Sequence, residues 1–341
     1  VSTPEQAATD EVRERYARFA RDEAPGRSEV YRRWATGVAA DAEVAGIIAA
    51  LPSQRRQPPL VFAVTRLLGA GEGDDTAEWT AFVRAHRQEI IREIDRRSLQ
   101  TNEPQRCAAL LPALALVDGP IALVELGAAA GLCLYPDRYA YRYRAVDGVR
   151  SVGPVGGSGV VLSADLSGPA PLALPQIVWR AGVDLSPLDP ADPEDRAWLQ
   201  ALVWPGETGR AERIRSALDI AAADPPSLVS GDAAARLPEL VERAPAGATV
   251  VVTTPGLLPF LPWRQRNALV EMIQALPVRW VTLDRPGLYE GLRGPVEEVT
   301  DGFALALDGE VLADADPLGA RVRWLGEADG SMSGVGRTVK P

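Results

Sequence analysis

Residues 124–131 read VELGAAAG, and the reading of this stretch decides the fold. An apolar run with one acid leads into Gly127, three alanines and Gly131. In an open α/β sheet, ligands settle beyond the carboxyl ends of the strands. A turn there needs small residues so that backbone N–H groups can approach the ligand. A helix starting at the turn adds unpaired N–H groups and the positive end of its dipole. Gly127, Ala128 and Gly131 meet the first need, and Glu125 is an acceptor for a cation or for the turn's amides. The competing reading is a tight corner that packs helix on strand. Two commoner nucleotide motifs are excluded. With Gly127 as its first glycine, GxGxxG would need glycine at Ala129 and Leu132, and no GK[ST] follows.

Outward from the turn, the two sides of the chain differ. Before residue 118 the pattern is helical. Trp79, Phe82, Val83, His86, Ile90 and Ile94 recur at helical spacing and predict one apolar face, with Asp74 and Asp75 at its N-cap. Segments 4–23, 28–51, 59–69 and 104–117 are further expected helices. After residue 120, β-rich runs at 121–126, 177–183, 227–230, 249–253 and 278–283 alternate with helical stretches at 196–203, 212–223, 233–243 and 263–276. That alternation predicts a parallel sheet with crossover helices. Residues 303–307 and 322–325 predict an antiparallel pair closing the sheet, and 144–175 a long connection with a small hairpin. The expected division is a helical cap domain over 1–117, an α/β domain over 118–330 and a loose tail over 331–341.

Composition narrows the function. The chain has 341 residues, of which 46% are hydrophobic, so a sizeable core is expected. A net charge of -10 without a basic stripe argues against nucleic acid and anionic membranes and for a small-molecule ligand or another protein. Cys107 and Cys133 form no CxxC and have no metal-ligand spacing, so neither a metal nor a disulfide framework is expected. The longest apolar region, 107–135, is broken by Asp118, Gly119, Pro120 and Glu125, and residues 1–24 are polar. These features predict a cytoplasmic protein. The single histidine, His86, is expected in the core, and no Ser-His-Asp set assembles around it.

The turn and the signals after it resemble class I S-adenosylmethionine-dependent methyltransferases. The resemblance implies a Rossmann-like sheet, mostly parallel, with an antiparallel pair at its C-terminal end. RAGVDLSPLD (180–189) resembles the end of the second strand, which implies that Asp184 accepts from the ribose hydroxyls. LVSGDAAARLPEL (228–240) resembles the third-strand motif, which implies that Asp232, followed by Ala233, meets the adenine amino group. VVVTTPGLLPFL (250–261) stands where the fourth strand lines the methionine, which implicates Thr253 and Thr254. With Glu125, Gly127, Ala128 and Gly131 these residues make up the implied cofactor site. The competing reading of both aspartates is helix N-capping. A long insertion separates the first two motifs, so YPDRYAYRY (135–143) competes with 177–183 as the second strand.

A closer resemblance is to an actinobacterial group, the domain of unknown function 2332 family, from about residue 10 to 325. It is carried by QTNEPQRCAALLPAL (100–114), ELGAAAGLCLYPDRYAY (125–141), RAGVDLSPLDPADPEDRAWLQALVWP (180–205), DPPSLVSGDAAARLPEL (224–240) and FALALDGEVLADADPLG (303–319). The family implies no reaction. This chain departs from its pattern at Ala129, Cys133, Gly206 and Gly209, and in TTPGLLPF, which lacks a histidine.

On the substrate side, Asn102, Glu103 and Arg106 precede the first strand. Glu103 is a candidate base or amine ligand, and Arg106 a candidate partner for a carboxylate. The competing reading is a helix start, with Thr101 or Asn102 as cap and Pro104 in the first turn. Tyr139, Tyr141 and Tyr143 alternate as on a strand and so share one face, for packing or for a pocket. Trp179 and Arg180 stand equally open between the two roles. The leading expectation is methyl transfer from S-adenosylmethionine to a small molecule bound between cap and sheet. A catalytically silent binding module, and a cyclisation or elimination with the same cofactor, are the alternatives.

Overall fold

The computed structural model describes residues 3–73, 75–100 and 102–326. The chain divides into two compact units, Val1–Thr101 with Asp189–Arg215, and Asn102–Leu188 with Ser216–Pro341.

The first unit holds α1 (Pro4–Asp22), α2 (Glu29–Ala40), α3 (Ala42–Ala49), α4 (Pro58–Leu67), α5 (Thr76–Ala85), α6 (Arg87–Arg96) and the later helix Pro193–Ala201. Its core is aromatic. Tyr16, Phe19, Tyr31, Trp34 and Trp79 surround Phe62 with ring centroids 4.8–6.0 Å away. Two expected continuous helices break. Residues 28–51 divide at Asp41, whose carboxylate accepts from the Glu43 and Val44 amides and so starts a new helix. The 79–94 face divides at His86, between α5 and α6. His86 is half-buried rather than in the core: its ring stacks on Phe82 at 4.0 Å, and Nδ1 lies 3.0 Å from the Phe82 carbonyl. Asp75 caps α5 through the Ala77 and Glu78 amides, and Asp74 lies outside the described residues. Residues 189–215 group with these helices because Arg66 of α4 donates to the Ala201 and Val203 carbonyls, while Trp198 and Leu199 are buried.

The second unit is built on a sheet of β1 (Pro120–Leu126), β2 (Ala140–Ala145), β3 (Gly148–Val152), β4 (Val161–Ser167), β5 (Gln176–Asp184), β6 (Ser227–Ser230), β7 (Thr249–Pro255), β8 (Arg279–Asp284), β9 (Phe303–Leu307), β10 (Glu310–Ala315) and β11 (Arg321–Trp324). The order across it is β3-β2-β4-β11-β10-β9-β8-β7-β1-β5-β6, and most neighbours run parallel. Its helices are α7 (Cys107–Leu114), α10 (Ala233–Arg243) and α11 (Trp263–Ala275); α8 is Pro193–Ala201 of the first unit, and α9 (Arg210–Ala223) runs from the first unit into the second. Every residue of α7 is buried, as befits a helix apolar on all sides.

Two sheet positions bear on the site. The strand beside β1 is β5, ending at Asp184, whereas YAYRY forms β2 near the far edge. The insertion is more than a loop with a hairpin. β2 and β3 make the hairpin, and β4 adds a strand that pairs with β11 of the chain's C-terminal part. The expected pair of 303–307 with 322–325 does not form: β9 and β10 turn at Asp308 and Gly309, both at positive φ, and β10 lies between β9 and β11, antiparallel to each. The strand β10 was not expected because EVLADA contains an acid, Asp314, which is buried and held by Arg321 and Arg323. Among the described residues, no helix is long and apolar enough to cross a membrane. The expected tail over 331–341 lies outside them.

Candidate functional site

β5 and then β6 lie on one side of β1, and β7 and then β8 on the other, although the chain first passes through β2, β3 and β4 at the far edge. The order therefore reverses at β1, and the crevice beyond its carboxyl end is where open α/β sheets take ligands. The turn after β1 bends through positive φ at Gly127, Ala129 and Gly131. A side chain on Gly127 would come within 3.0 Å of Leu257, and one on Gly131 within 3.0 Å of Leu134 and 3.1 Å of Pro226. The turn's amides are already used. Gly127 and Ala128 both donate to the Val183 carbonyl, at 2.8 and 3.0 Å, and Gly131 donates to Ala128. No long helix follows: Leu132–Leu134 form a single 3-10 turn, because the chain must swing away to reach β2. The expected helix-dipole contribution is therefore missing here.

Asp184 meets this turn directly. Its carboxylate accepts from the Ala129 amide at 2.8 Å and from the Ser186 amide at 2.9 Å. Gly231 donates to the Asp184 carbonyl, so the ends of β5 and β6 are tied together. Asp232 is exposed and caps α10, accepting from the Ala235 amide at 3.1 Å, with Ala233 half-buried behind it. Just past Asp184, Leu185 is 75% exposed, a large apolar side chain left facing water. Ser230 donates to its carbonyl.

A different set of polar groups gathers at the ends of β1, β7 and β8. Glu125 is buried, and its Oε2 has no hydrogen-bond partner. Burial first, and then the adjacent Cys133 thiol, push its carboxyl well above the usual range against the pull of Arg106. Arg106 seats its guanidinium on the end of β7: Nη1 donates to the Pro255 carbonyl at 2.9 Å and Nε to Pro317 at 3.1 Å. Gly256, with φ +70°, leaves room for it; a Cβ there would lie 3.0 Å from Nη2. Glu103 accepts from the Gln105 amide at 3.0 Å and caps the 3-10 turn Pro104–Arg106, which runs on into α7. Asn102 is buried with an unpartnered Nδ2, and Thr101 lies outside the described residues.

The two threonines of β7 point to opposite faces. Thr253 is paired in register with Glu125 and donates at 3.5 Å to the Val124 carbonyl. Thr254 accepts from Trp280 Nε1 at 3.1 Å inside the core. The structure thus joins Glu125, Gly127, Ala128, Gly131, Asp184 and Thr253 around the first turn, and Arg106 beside them. It leaves Asp232 and Ala233 one strand further out, and Thr254 beneath.

Other sequence candidates have structural tasks. Tyr139, Tyr141 and Tyr143 are fully buried, and their hydroxyls donate to the Leu132, Pro136 and Ala108 carbonyls. Arg180 forms a two-pronged pair with Asp137 at 3.0 and 2.8 Å. The Cys133 thiol, pushed up chiefly by Cys107 beside it and by burial, donates to the Glu103 carbonyl. Among the described residues there is no cluster of metal-ligating side chains. Sequence reasoning passed over Asp284, which ends β8 and is buried with both carboxyl oxygens unpartnered. The signal was available in WVTLDRPG (280–287), an apolar strand ending in an acid before a Pro-Gly turn.

No curated protein and no solved structure matches this chain. Residues 13–324 match a family described as "Uncharacterized protein conserved in bacteria (DUF2332)". Since that match spans nearly the whole sheet and most of the helical unit, the chain belongs to the DUF2332 family.

Proposed function

We propose that the chain binds S-adenosylmethionine along the carboxyl edge of β1, β5 and β6 and directs its methyl group to a small molecule. The observation that carries this reading is the row of acids at the ends of three adjacent parallel strands, Glu125, Asp184 and Asp232, with the bare Leu185 directly after Asp184. An adenine face would cover Leu185. Ribose hydroxyls would join or displace the amides on Asp184, and the exposed Asp232 carboxylate would accept from an exocyclic amine. The unpartnered Glu125 Oε2 fits an ammonium group. When bound, the cofactor supplies the activated methyl group. The chain's part is to orient the acceptor and exclude water. Methyl-labelled S-adenosylmethionine, incubated with the full chain and a small-molecule extract of a bacterium, tests this reading. Label in a new product is the expected result.

A second reading, a methyltransferase-like binding protein without transfer, is favoured by one feature. The Gly127 and Ala128 amides are already taken by the Val183 carbonyl, and the Asp184 carboxylate by the Ala129 and Ser186 amides. Cofactor binding with no label transferred would select it.

A further inference from the structure

We propose that Asp284 is the acid–base residue of this edge, exchanging a proton with a hydroxyl or amine of the small molecule taken up there; this rests on the transfer reading above. Asp284 ends β8, the neighbour of β7, on whose last carbonyl Arg106 is seated. Four groups face it from the elements packed around it: Arg106, Arg266 of α11, the Leu258 amide and the Tyr289 hydroxyl. Among the described residues none forms an ion pair with it, and the Leu258 amide comes only within weak hydrogen-bond reach. Arg106 donates to the Pro255 and Pro317 carbonyls. Arg266 reaches only the Leu258 and Leu261 carbonyls, at 3.5 Å, and its own Nε is buried without a partner.

An acid with two unpaired oxygens beside a guanidinium with an unpaired nitrogen destabilises a fold that gains nothing else from it. Asp284 lacks the close amide bonds that Asp184 and Asp232 hold, with only the Leu258 amide near it. A hydroxyl satisfies both groups together, donating to the acid and accepting from Arg266. In the proton step the substrate O–H or N–H bond breaks as an Oδ–H bond forms, and the electron pair stays on the nucleophile. Burial raises the carboxyl to about 8, against Arg106 and Arg266, so both protonation states are within reach near neutrality.

The test uses N,N′-dicyclohexylcarbodiimide on the folded full chain, read by peptide mass spectrometry. The protonated acid adds across a C=N bond: its oxygen bonds the central carbon, its proton moves to nitrogen, and nothing leaves. Asp314 is the internal control, buried as deeply at 1% exposure but paired with Arg321 and Arg323. The expected result is label on Asp284 at about pH 6, declining as the pH passes about 8, with Asp314 unlabelled. No label on Asp284, or label that appears only together with Asp314, overturns the proposal. In a second arm, Asp284→Asn should keep affinity for S-adenosylmethionine within about twofold by calorimetry. A larger loss would contradict its place on the substrate side. If neither protein binds the cofactor while Asp284 is labelled, the transfer reading fails and the ligand-facing acid stands.

Discussion

The acids at the two ends of the carboxyl edge carry the same chemical group in opposite company. At the β5–β6 end, Asp184 holds two backbone amides and Asp232 caps a helix while facing water. At the β1–β8 end, Glu125 and Asp284 are buried with unpartnered oxygens. Acids of the first kind stabilise the fold by accepting from backbone amides. Those of the second kind favour their neutral forms, because burial penalises charge that no partner offsets. One edge thus combines a scaffold for a nucleoside with a reservoir of unsatisfied polar groups.

The largest expected break in this comparison is in pH dependence. Asp284 is raised on folding, so its contribution to stability is complete below the unfolded value, near 4, and is lost as pH rises through about 8. Unfolding free energies of the wild type and Asp284→Asn should therefore separate by a few kcal/mol between mildly acidic and alkaline buffers, with the wild type falling. Parallel curves would place Asp284 in water. Next, Asp184→Ala should destabilise by about 3 kcal/mol in denaturant melts, because two charge-assisted bonds to amides are lost. A stability loss below the error of the melt would mean that the carboxylate serves a ligand alone. Thr254→Val should remove about 2 kcal/mol by orphaning Trp280 Nε1 without changing cofactor affinity. Asp232→Ala, which removes one exposed cap, should cost about 1 kcal/mol. Its effect should be far greater on binding than on melting.

Much of the sheet was legible in residues 121–283 because buried parallel strands and amphipathic helices write distinct periodicities. The strands at 227–230 and 303–307 fall where apolar runs meet turn residues. The insertion was harder to read. β4, VLSADLS, alternates buried and exposed positions as a half-buried strand does, and it is held between β2 and the distant β11. The helix break at Asp41 depends on a single cap inside an otherwise continuous apolar pattern, and the break at His86 has no side-chain cap to announce it. Of the site, the positions of Glu125, Asp184 and Asp232 at strand ends followed from local pattern. Which of those carboxylates would be occupied by the chain's own amides did not, since the Ala129 partner of Asp184 lies 55 residues away. The roles of Tyr139, Tyr141 and Tyr143 were ambiguous because alternation shows a shared face but not which backbone carbonyl each hydroxyl meets.

Titration calorimetry of the full chain with S-adenosylmethionine tests the central claim most directly. The account predicts micromolar binding that Asp232→Ala and Gly127→Val each weaken by about tenfold or more, in proteins that remain folded by circular dichroism. Absence of heat from the folded wild type, or unchanged affinity in both variants, would contradict it.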